Sequence, residues 1–466
     1  MKSNVWIKYY KNGKLKESLT FEYFEYLVNN KIQKINNYGI RKNDRVIIQN
    51  ENSPNIIATY FALKKLNIIA IPISPDESPR RINYIKENSS ANAIINTNDE
   101  VILFKNNGKS SIKNIEKVST IIYTSGTTGE PKGVCLGNDN WLENAKTLIK
   151  HHCFDQETIF ASPLPIFHCN AHGLSMHTTF ISKSRLILFN KITTNFLDII
   201  KKEQVNVLSI VPTILYRLFK KKPEWIPNKE LSYILTAAAP LPGGLLKDIL
   251  EKWKIKVIQG YGLSESTNFS CTMPLGCSDE KYRKIMFPHP SIGIALPGVE
   301  VSIKDKNNEG IIGELLVKSK SNFLGYWGKP IKPADIVETG DLAYYRSYDG
   351  VKFYYLVGRI KETINRAGET ISPVEIEREL ISKIKNEFVV FSIPDIEYNE
   401  EIGLACKKSF DYSILEELPY RIRPKKVFIV KEFFYTPTGK IQRKKLANYC
   451  LNKITENIDI KKKWIK

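Results

Sequence analysis

The stretch TIIYTSGTTGEPKGV, residues 120–134, runs from apolar positions into hydroxyls, glycines and a lysine. A strand ending in such a turn points backbone N–H groups and hydroxyls outward together. That concavity binds anions, and glycine lets the backbone approach phosphate oxygens closely. Lys132 adds a mobile charge. The spacing is not that of a Walker A loop, because Gly129 stands three residues before Lys132 and Gly133 follows it. On local chemistry alone the loop is either a phosphate binder or an ordinary turn, since Ser, Thr and Gly are common in turns. Four later residues are equally open when read locally. Glu265 after Ser264 could start a helix, Asp341 could be a turn residue in TGD, and Arg359 beside Gly358 and Lys440 after PTG could be solvated.

The elements that must position these residues alternate between strand and helix. Residues 54–66 (PNIIATYFALKKL) read as an amphipathic helix, and 67–73 (NIIAIPI) as a buried strand. The pattern recurs in VNVLSIV and PTILYRLFK, then in YILTAA, GGLLKDILEKW and IKVIQGYG. Such alternation predicts parallel α/β architecture. From about residue 300 the texture changes: VEVSIKD, GIIGELLVKS and VKFYYLVG predict a β-rich subdomain. After Arg359 a small α+β pattern follows, with helix 373–384, strands 388–393, 402–407 and 426–430, and helix 440–450. The fold class expected is α/β. Parallel α/β subdomains and a β-rich subdomain form a large domain, 1–358, joined at 359–361 to a small mobile α+β domain, 362–466.

Composition narrows the function classes. The 466 residues exceed one ordinary core, which predicts at least two domains. No apolar run is long enough to predict a spanning helix, and the N-terminus lacks an apolar signal core. Seven scattered Cys, without CxxC or a Cys/His cluster, predict reduced thiols and a cytoplasmic location. The net charge of +20 raises nucleic-acid binding as a reading. Lys, Asn and Ile are abundant along the whole chain, however, so the charge reads as compositional bias. Basic clusters at 421–426, 442–446 and 461–466 fit a phosphate-bearing small substrate or an acidic carrier protein better.

YTSGTTGEPKG resembles the phosphate loop of the acyl-adenylate-forming enzymes, the AMP-binding superfamily that includes acyl-CoA synthetases. Further stretches match in the family's order: SPLPIFHCNAHG (162–173), TAAAPLPGG (236–244), QGYGLSES (259–266), GELLVKSKSNFLGYW (313–327), TGD (339–341), GRIKETINRAGETISPVEIE (358–377) and PTGKIQRKKL (437–446). The chain is identified as a member of that superfamily, in the aryl- or fatty-acyl-CoA ligase branch. The resemblance implies ATP, Mg²⁺ and coenzyme A as co-substrates and cofactor. It implies that Thr124, Ser125, Gly126, Thr127, Thr128, Gly129 and Lys132 hold the β- and γ-phosphates. Tyr261, Gly262 and Ser264 would line the nucleotide site, with Tyr261 stacked near adenine. Glu265 would bind Mg²⁺, Asp341 would accept the ribose hydroxyls, and Arg359 would contact the ribose or phosphate region. Lys440 would bridge the substrate carboxylate and α-phosphate. His168 would bind or gate the carboxylate, with Asn170, Ala237, Ala238, Gly260, Leu263 and Asn268 as acyl-pocket walls. Lys361 is the implied hinge, and Gly368 lies on the implied CoA passage.

Some positions depart from the family pattern. Ser264 replaces the commoner Thr and keeps the hydroxyl. The phosphate loop begins early, and KNNGKSSIKNIEKVS (105–119) reads as a trimmed connection. Phe167 is followed by His168, Cys169 and Asn170, whereas amino-acid-activating members commonly place Asp there. The leading expectation is an ATP-dependent carboxylic acid–CoA ligase. The alternatives are a ligase that loads an acyl carrier protein, or a basic nucleotide- or nucleic-acid-binding protein without catalysis. A carboxylic acid, ATP and CoA are the expected partners, with an acidic acyl carrier protein and a second copy of the chain as further options. Nucleic acid is not expected.

Overall fold

Parallel strands buried on both faces are covered by helices, and a helix that is itself enclosed by further elements is apolar on more than one side. The helix Pro54–Lys65 is the extreme case: Pro54 and every residue from Ile56 to Leu63 are buried. The expected amphipathic pattern is therefore corrected to a helix enclosed nearly all round. Its start is set by Ser53, whose hydroxyl accepts from the Ile56 N–H at 3.2 Å, and by proline in the first turn. The computed structural model describes residues 4–104, 114–124, 131–305, 308–366, 369–381, 383–435, 441–452 and 457–459.

Two sheets form the α/β part. A nine-stranded sheet runs Ile294–Ala295, Phe269–Thr272, Val257–Gly262, Tyr233–Thr236, Val207–Ile210, Ile159–Ser162, Arg185–Phe189, Val5–Lys11 and Lys14–Thr20. Every neighbouring pair from Val257–Gly262 to Val5–Lys11 is parallel. A six-stranded sheet runs Val101–Leu103, Ala93–Ile95, Arg45–Gln49, Ile69–Ile73, Thr120–Thr124 and Lys132–Leu136. Its last two strands pair antiparallel, Thr124 opposite Lys132, so the glycine-rich stretch connects the strands of a hairpin.

The β-rich expectation is met by a four-stranded antiparallel sheet: Val299–Ile303, Gly313–Ser319, Ile336–Tyr348 and Val351–Arg359. The residues beyond build their own cores. Ile364, Ile376, Leu404 and Val427 share one buried cluster, and Val389, Phe391, Leu446 and Cys450 share another. The helix expected over 373–384 spans Pro373–Leu380, and the one expected over 440–450 spans Arg443–Asn452. All seven cysteines are free. Among the described residues no helix is long and apolar enough to cross a membrane.

Candidate active site

Asp341 and Arg359 are made neighbours by strand register. Ile336–Tyr348 and Val351–Arg359 pair antiparallel with Asp341 opposite Arg359. The guanidinium Nε lies 2.9 Å from Asp341 Oδ1. The other oxygen, Oδ2, accepts from the Tyr261 hydroxyl at 2.7 Å. Asp341 is buried. Its charge raises the Arg359 pKa above the ordinary arginine value, and burial followed by Asp341 raises that of Tyr261. The carboxylate is thus fixed in direction by a charge-assisted contact on one oxygen and a hydroxyl on the other. Tyr261 puts its hydroxyl on this carboxylate, while its ring packs with Cys271, Ile292 and Tyr345.

Glu265 sits on the short turn Ser264–Ser266, directly after the strand Val257–Gly262. The turn is tight. A Cβ on Gly262 would lie 1.7 Å from the Asn268 carbonyl oxygen, so only glycine fits there. Thr267 has φ of 70° and ψ of −49°, a strained conformation for a β-branched residue. Its hydroxyl donates to the Ser321 carbonyl, which helps to hold that conformation. The Phe323 N–H donates to the Glu265 carbonyl at 2.8 Å.

The segment around 323–327 also clamps the phosphate hairpin. Leu324 N–H donates to Cys135 O at 2.9 Å, Cys135 N–H to Gly325 O at 3.0 Å, and Trp327 N–H to Gly133 O at 2.7 Å. Tyr326 then reaches both sides. Its hydroxyl donates to Glu265 Oε1 at 2.9 Å, and Lys132 Nζ lies over its ring at 5.3 Å from the centroid. Tyr326 has no assigned role in the sequence pattern; its signal there is membership of GELLVKSKSNFLGYW.

The other expected site residues cluster in part. His168 follows the strand Ile159–Ser162; its N–H donates to Pro165 O at 3.1 Å, and its ring lies 4.5 Å from that of Phe167. The 168–170 turn meets the Glu265 turn: Ser264 Oγ donates to Cys169 Sγ at 3.5 Å, and Asn268 Nδ2 to Asn170 O at 3.4 Å. Asn170 Oδ1 is buried and has no hydrogen-bond partner among the described residues. Ala237 and Ala238 follow the neighbouring strand Tyr233–Thr236, with Ala238 at φ of 70°. A Cβ on Gly260 would meet the Phe269 ring at 2.9 Å, so glycine there lets that buried ring pack directly against the strand backbone. Leu263 packs with the Tyr261 cluster. Ser125, Gly126, Thr127, Thr128, Gly129, Gly368 and Lys440 lie outside the described residues.

His168, Ala237 and Glu265 all follow the carboxyl ends of parallel strands, the side on which open α/β sheets bind ligands. A family model described as AMP-binding enzyme matches residues 6–327. The chain belongs to the AMP-binding enzyme family. The Arabidopsis thaliana protein named 4-coumarate–CoA ligase-like 6 is 27% identical over 376 residues, covering 74% of this chain and 64% of that protein. The Mycobacterium marinum fatty acid–acyl-carrier-protein ligase is 31% identical over 373 residues, covering 70% and 67%. The solved structure of Bacillus subtilis o-succinylbenzoate coenzyme A synthetase, in complex with ATP and magnesium ion, superposes with a TM-score of 0.80. At 21% identity over 95% of this chain and 96% of that one, this likeness is one of fold.

In this AMP-binding enzyme the junction at 359–362 is pinned from both sides. Arg359 is tied to Asp341, while Glu362 accepts from Arg443 Nε at 3.2 Å. Arg443 also makes paired contacts of 2.6 and 2.9 Å to Glu377, and donates to Val390 O at 3.1 Å. Across the junction, Ser372 Oγ donates to Val357 O at 2.6 Å, and Arg378 donates to Leu356 O. Within the late basic clusters, Arg443 is enclosed, Lys425 is buried with its ammonium 3.5 Å from the Tyr420 ring centroid, and Arg423 donates to Glu416 O and Leu418 O.

Removing Arg443 leaves Glu362 and Glu377 without their shared cation. Breaking a buried pair this way costs roughly 3 kcal/mol. Arg443→Met is therefore expected to lower the urea midpoint of the unit beyond 362, read by Trp-independent circular dichroism and by proteolysis. An unchanged midpoint would mean that the cluster is only a surface pairing.

Proposed function

We propose that this AMP-binding enzyme is an ATP-dependent, AMP-forming carboxylic acid–CoA ligase. One observation carries the reading: the single segment 257–266 presents Tyr261 to Asp341 and, four residues later, Glu265 to the tyrosine beneath Lys132. One strand and its turn thereby carry both the tyrosine that orients a hydroxyl-accepting carboxylate, Asp341, and a cation-binding carboxylate, Glu265, as a nucleoside triphosphate requires.

A carboxylate is a poor acyl donor because its leaving group would be oxide. Its oxygen therefore attacks the α-phosphorus of ATP, the bond to pyrophosphate breaks, and an acyl-AMP anhydride forms. The thiol sulfur of CoA then attacks the acyl carbon, AMP leaves with the bonding electrons, and the thiol proton passes to solvent. The protein's task is to position these groups and to neutralise charge. Lys132 with Thr124, Ser125, Gly126, Thr127, Thr128 and Gly129 holds the β- and γ-phosphates. Asp341 accepts the ribose hydroxyls, with Arg359 beside it. Lys440 bridges the substrate carboxylate and α-phosphate. His168 gates the carboxylate, and Asn170, Ala237, Ala238, Gly260, Leu263 and Asn268 border the acyl group. Tyr261, Gly262 and Ser264 line the nucleotide.

The residues present fit magnesium. Among the described residues no group of three His, Cys, Asp or Glu could hold an ion, so a metal here relies on substrate oxygens. Mg²⁺ is commonly held by one or two carboxylates plus phosphates and water, which suits Glu265. When bound, it neutralises phosphate charge.

The same site serves both steps if the unit beyond 362 turns. With Arg359 anchored to Asp341 and Glu362 anchored to Arg443, the rotation falls on Ile360 and the hinge residue Lys361. The domains are then 1–358 and 362–466. The contacts of Ser372 and Arg378 with the Leu356–Val357 backbone must part when it turns.

A carrier-protein acceptor is the second reading, favoured by the likeness to the Mycobacterium marinum ligase. Aromatic and aliphatic acids are to be assayed for pyrophosphate release, with and without CoA. With acid, ATP and CoA alone, thioester is expected to accumulate. Acyl-AMP that yields thioester only after a phosphopantetheinylated carrier is added would reverse the order of the two readings. Pyrophosphate release that ignores every added acid would remove the ligase reading itself.

A further inference from the structure

Tyr326 joins two charges that come from different sheets. Lys132 begins the second strand of the phosphate hairpin, and Glu265 lies on the turn after Val257–Gly262. Nothing in the local sequence of either segment sets the distance between them. The segment carrying Tyr326 does. It is hydrogen-bonded to Gly133 and Cys135 on one side and, through Phe323, to the Glu265 carbonyl on the other. An isolated bridge pairs Tyr326 with Val134. The ring is further braced edge-on by Phe323, 5.0 Å between centroids. From this fixed backbone the side chain offers its hydroxyl to Glu265 and its face to Lys132.

We infer that Tyr326 is a positioning residue that sets the magnesium-binding carboxylate and the phosphate-loop lysine relative to each other. The inference rests on the reading of Glu265 and Lys132 given above. The hydroxyl occupies one lobe of the carboxylate and directs the remaining oxygen positions. A half-buried carboxylate without that bond turns more freely and must be ordered when the ion arrives. The ring holds the ammonium within the distance at which a cation is attracted to an aromatic face. Removing the hydroxyl loses a hydrogen bond to a charged group, which corresponds to about tenfold or more in an equilibrium constant. Removing the ring costs a further factor of a few.

The test uses ATP binding without acid, so that no reaction occurs, followed by calorimetry with the full-length protein. Each variant is titrated with ATP in EDTA and then across a range of Mg²⁺ concentrations. Tyr326→Phe is expected to bind ATP in EDTA as the parent does, while the Mg²⁺ concentration giving half of the enhancement rises about tenfold. Tyr326→Leu is expected to show that shift and also a several-fold weaker affinity in EDTA. A merely structural tyrosine would not alter the Mg²⁺ dependence while leaving metal-free binding intact. An unchanged or lowered half-point in Tyr326→Phe overturns the inference, and this shape-conserving variant decides it even if Tyr326→Leu folds poorly. Glu265→Gln separates the two levels of the argument. If it abolishes the Mg²⁺ enhancement and Tyr326→Phe does not move it, Tyr326 has no positioning role. If Glu265→Gln retains the enhancement, Glu265 is not the magnesium ligand and the functional reading beneath the inference fails.

Discussion

Lys440→Ala is expected to lose adenylation by roughly 10²–10³, the usual cost of one preorganised electrostatic contact, while still converting supplied acyl-AMP and CoA to thioester. The charge of Lys440 is proposed to meet the negative charge that grows on the transferring groups, and that charge exists only in the first step. Gly368→Leu should behave in the opposite way, making acyl-AMP and stalling at transfer. A side chain at 368 is proposed to obstruct the pantetheine passage, which is a physical reason for glycine there. Both residues fall in the proposed domain 362–466, in different segments, so the opposite phenotypes depend on its proposed turning about Ile360 and Lys361. The anchors at Arg359 and Glu362 leave little else in the junction to absorb the change. Pyrophosphate release and thioester formation from supplied acyl-AMP are to be measured separately, with thermal melts of both variants. Folded variants that lose both half-reactions equally would end the alternating-domain proposal.

Glu265→Gln should abolish most adenylation with the fold retained. Glutamine keeps the size of the side chain and still offers an oxygen to the Tyr326 hydroxyl, which Glu265 accepts at 2.9 Å. The backbone bond from Phe323 to residue 265 does not involve the side chain. What is lost is the negative charge proposed to draw a hard cation to the phosphates. A fall of at least about 10²-fold in pyrophosphate release is expected at saturating ATP, with a deeper deficit when Mg²⁺ is limiting. Near-parental rates at limiting Mg²⁺ would take Glu265 out of the site.

The neighbourhood of Asp341 illustrates how far local sequence reached. TGD with its chain context singled out Asp341, and GRIKE singled out Arg359. That the two residues face each other depends on the antiparallel register between their strands. The basic clusters show the converse. Arg423, Lys425 and Arg443 each belong to one of them, and each is taken up by backbone carbonyls, an aromatic ring or carboxylates. A one-dimensional tally of charge carries no information about which charges are enclosed. The helix Pro54–Lys65 was legible as a helix, but not as one enclosed on nearly all sides, because periodicity reports one apolar face and not what packs on the others.

By itself the sequence determined the alternation of strands and helices, the change to a β-rich pattern near residue 300 and the family, because these depend on local periodicity, turn chemistry and ordered short motifs. It also determined that residue 262 is glycine, the one side chain that the turn before Glu265 admits. Tertiary structure alone decided that Tyr326 stands between Glu265 and Lys132, and that Arg443 reaches back to Glu362. Both contacts join segments separated by dozens of residues. Their geometry follows from which strands lie side by side and where backbone hydrogen bonds clamp the loops, and neither is encoded in the spacing of residues along one segment.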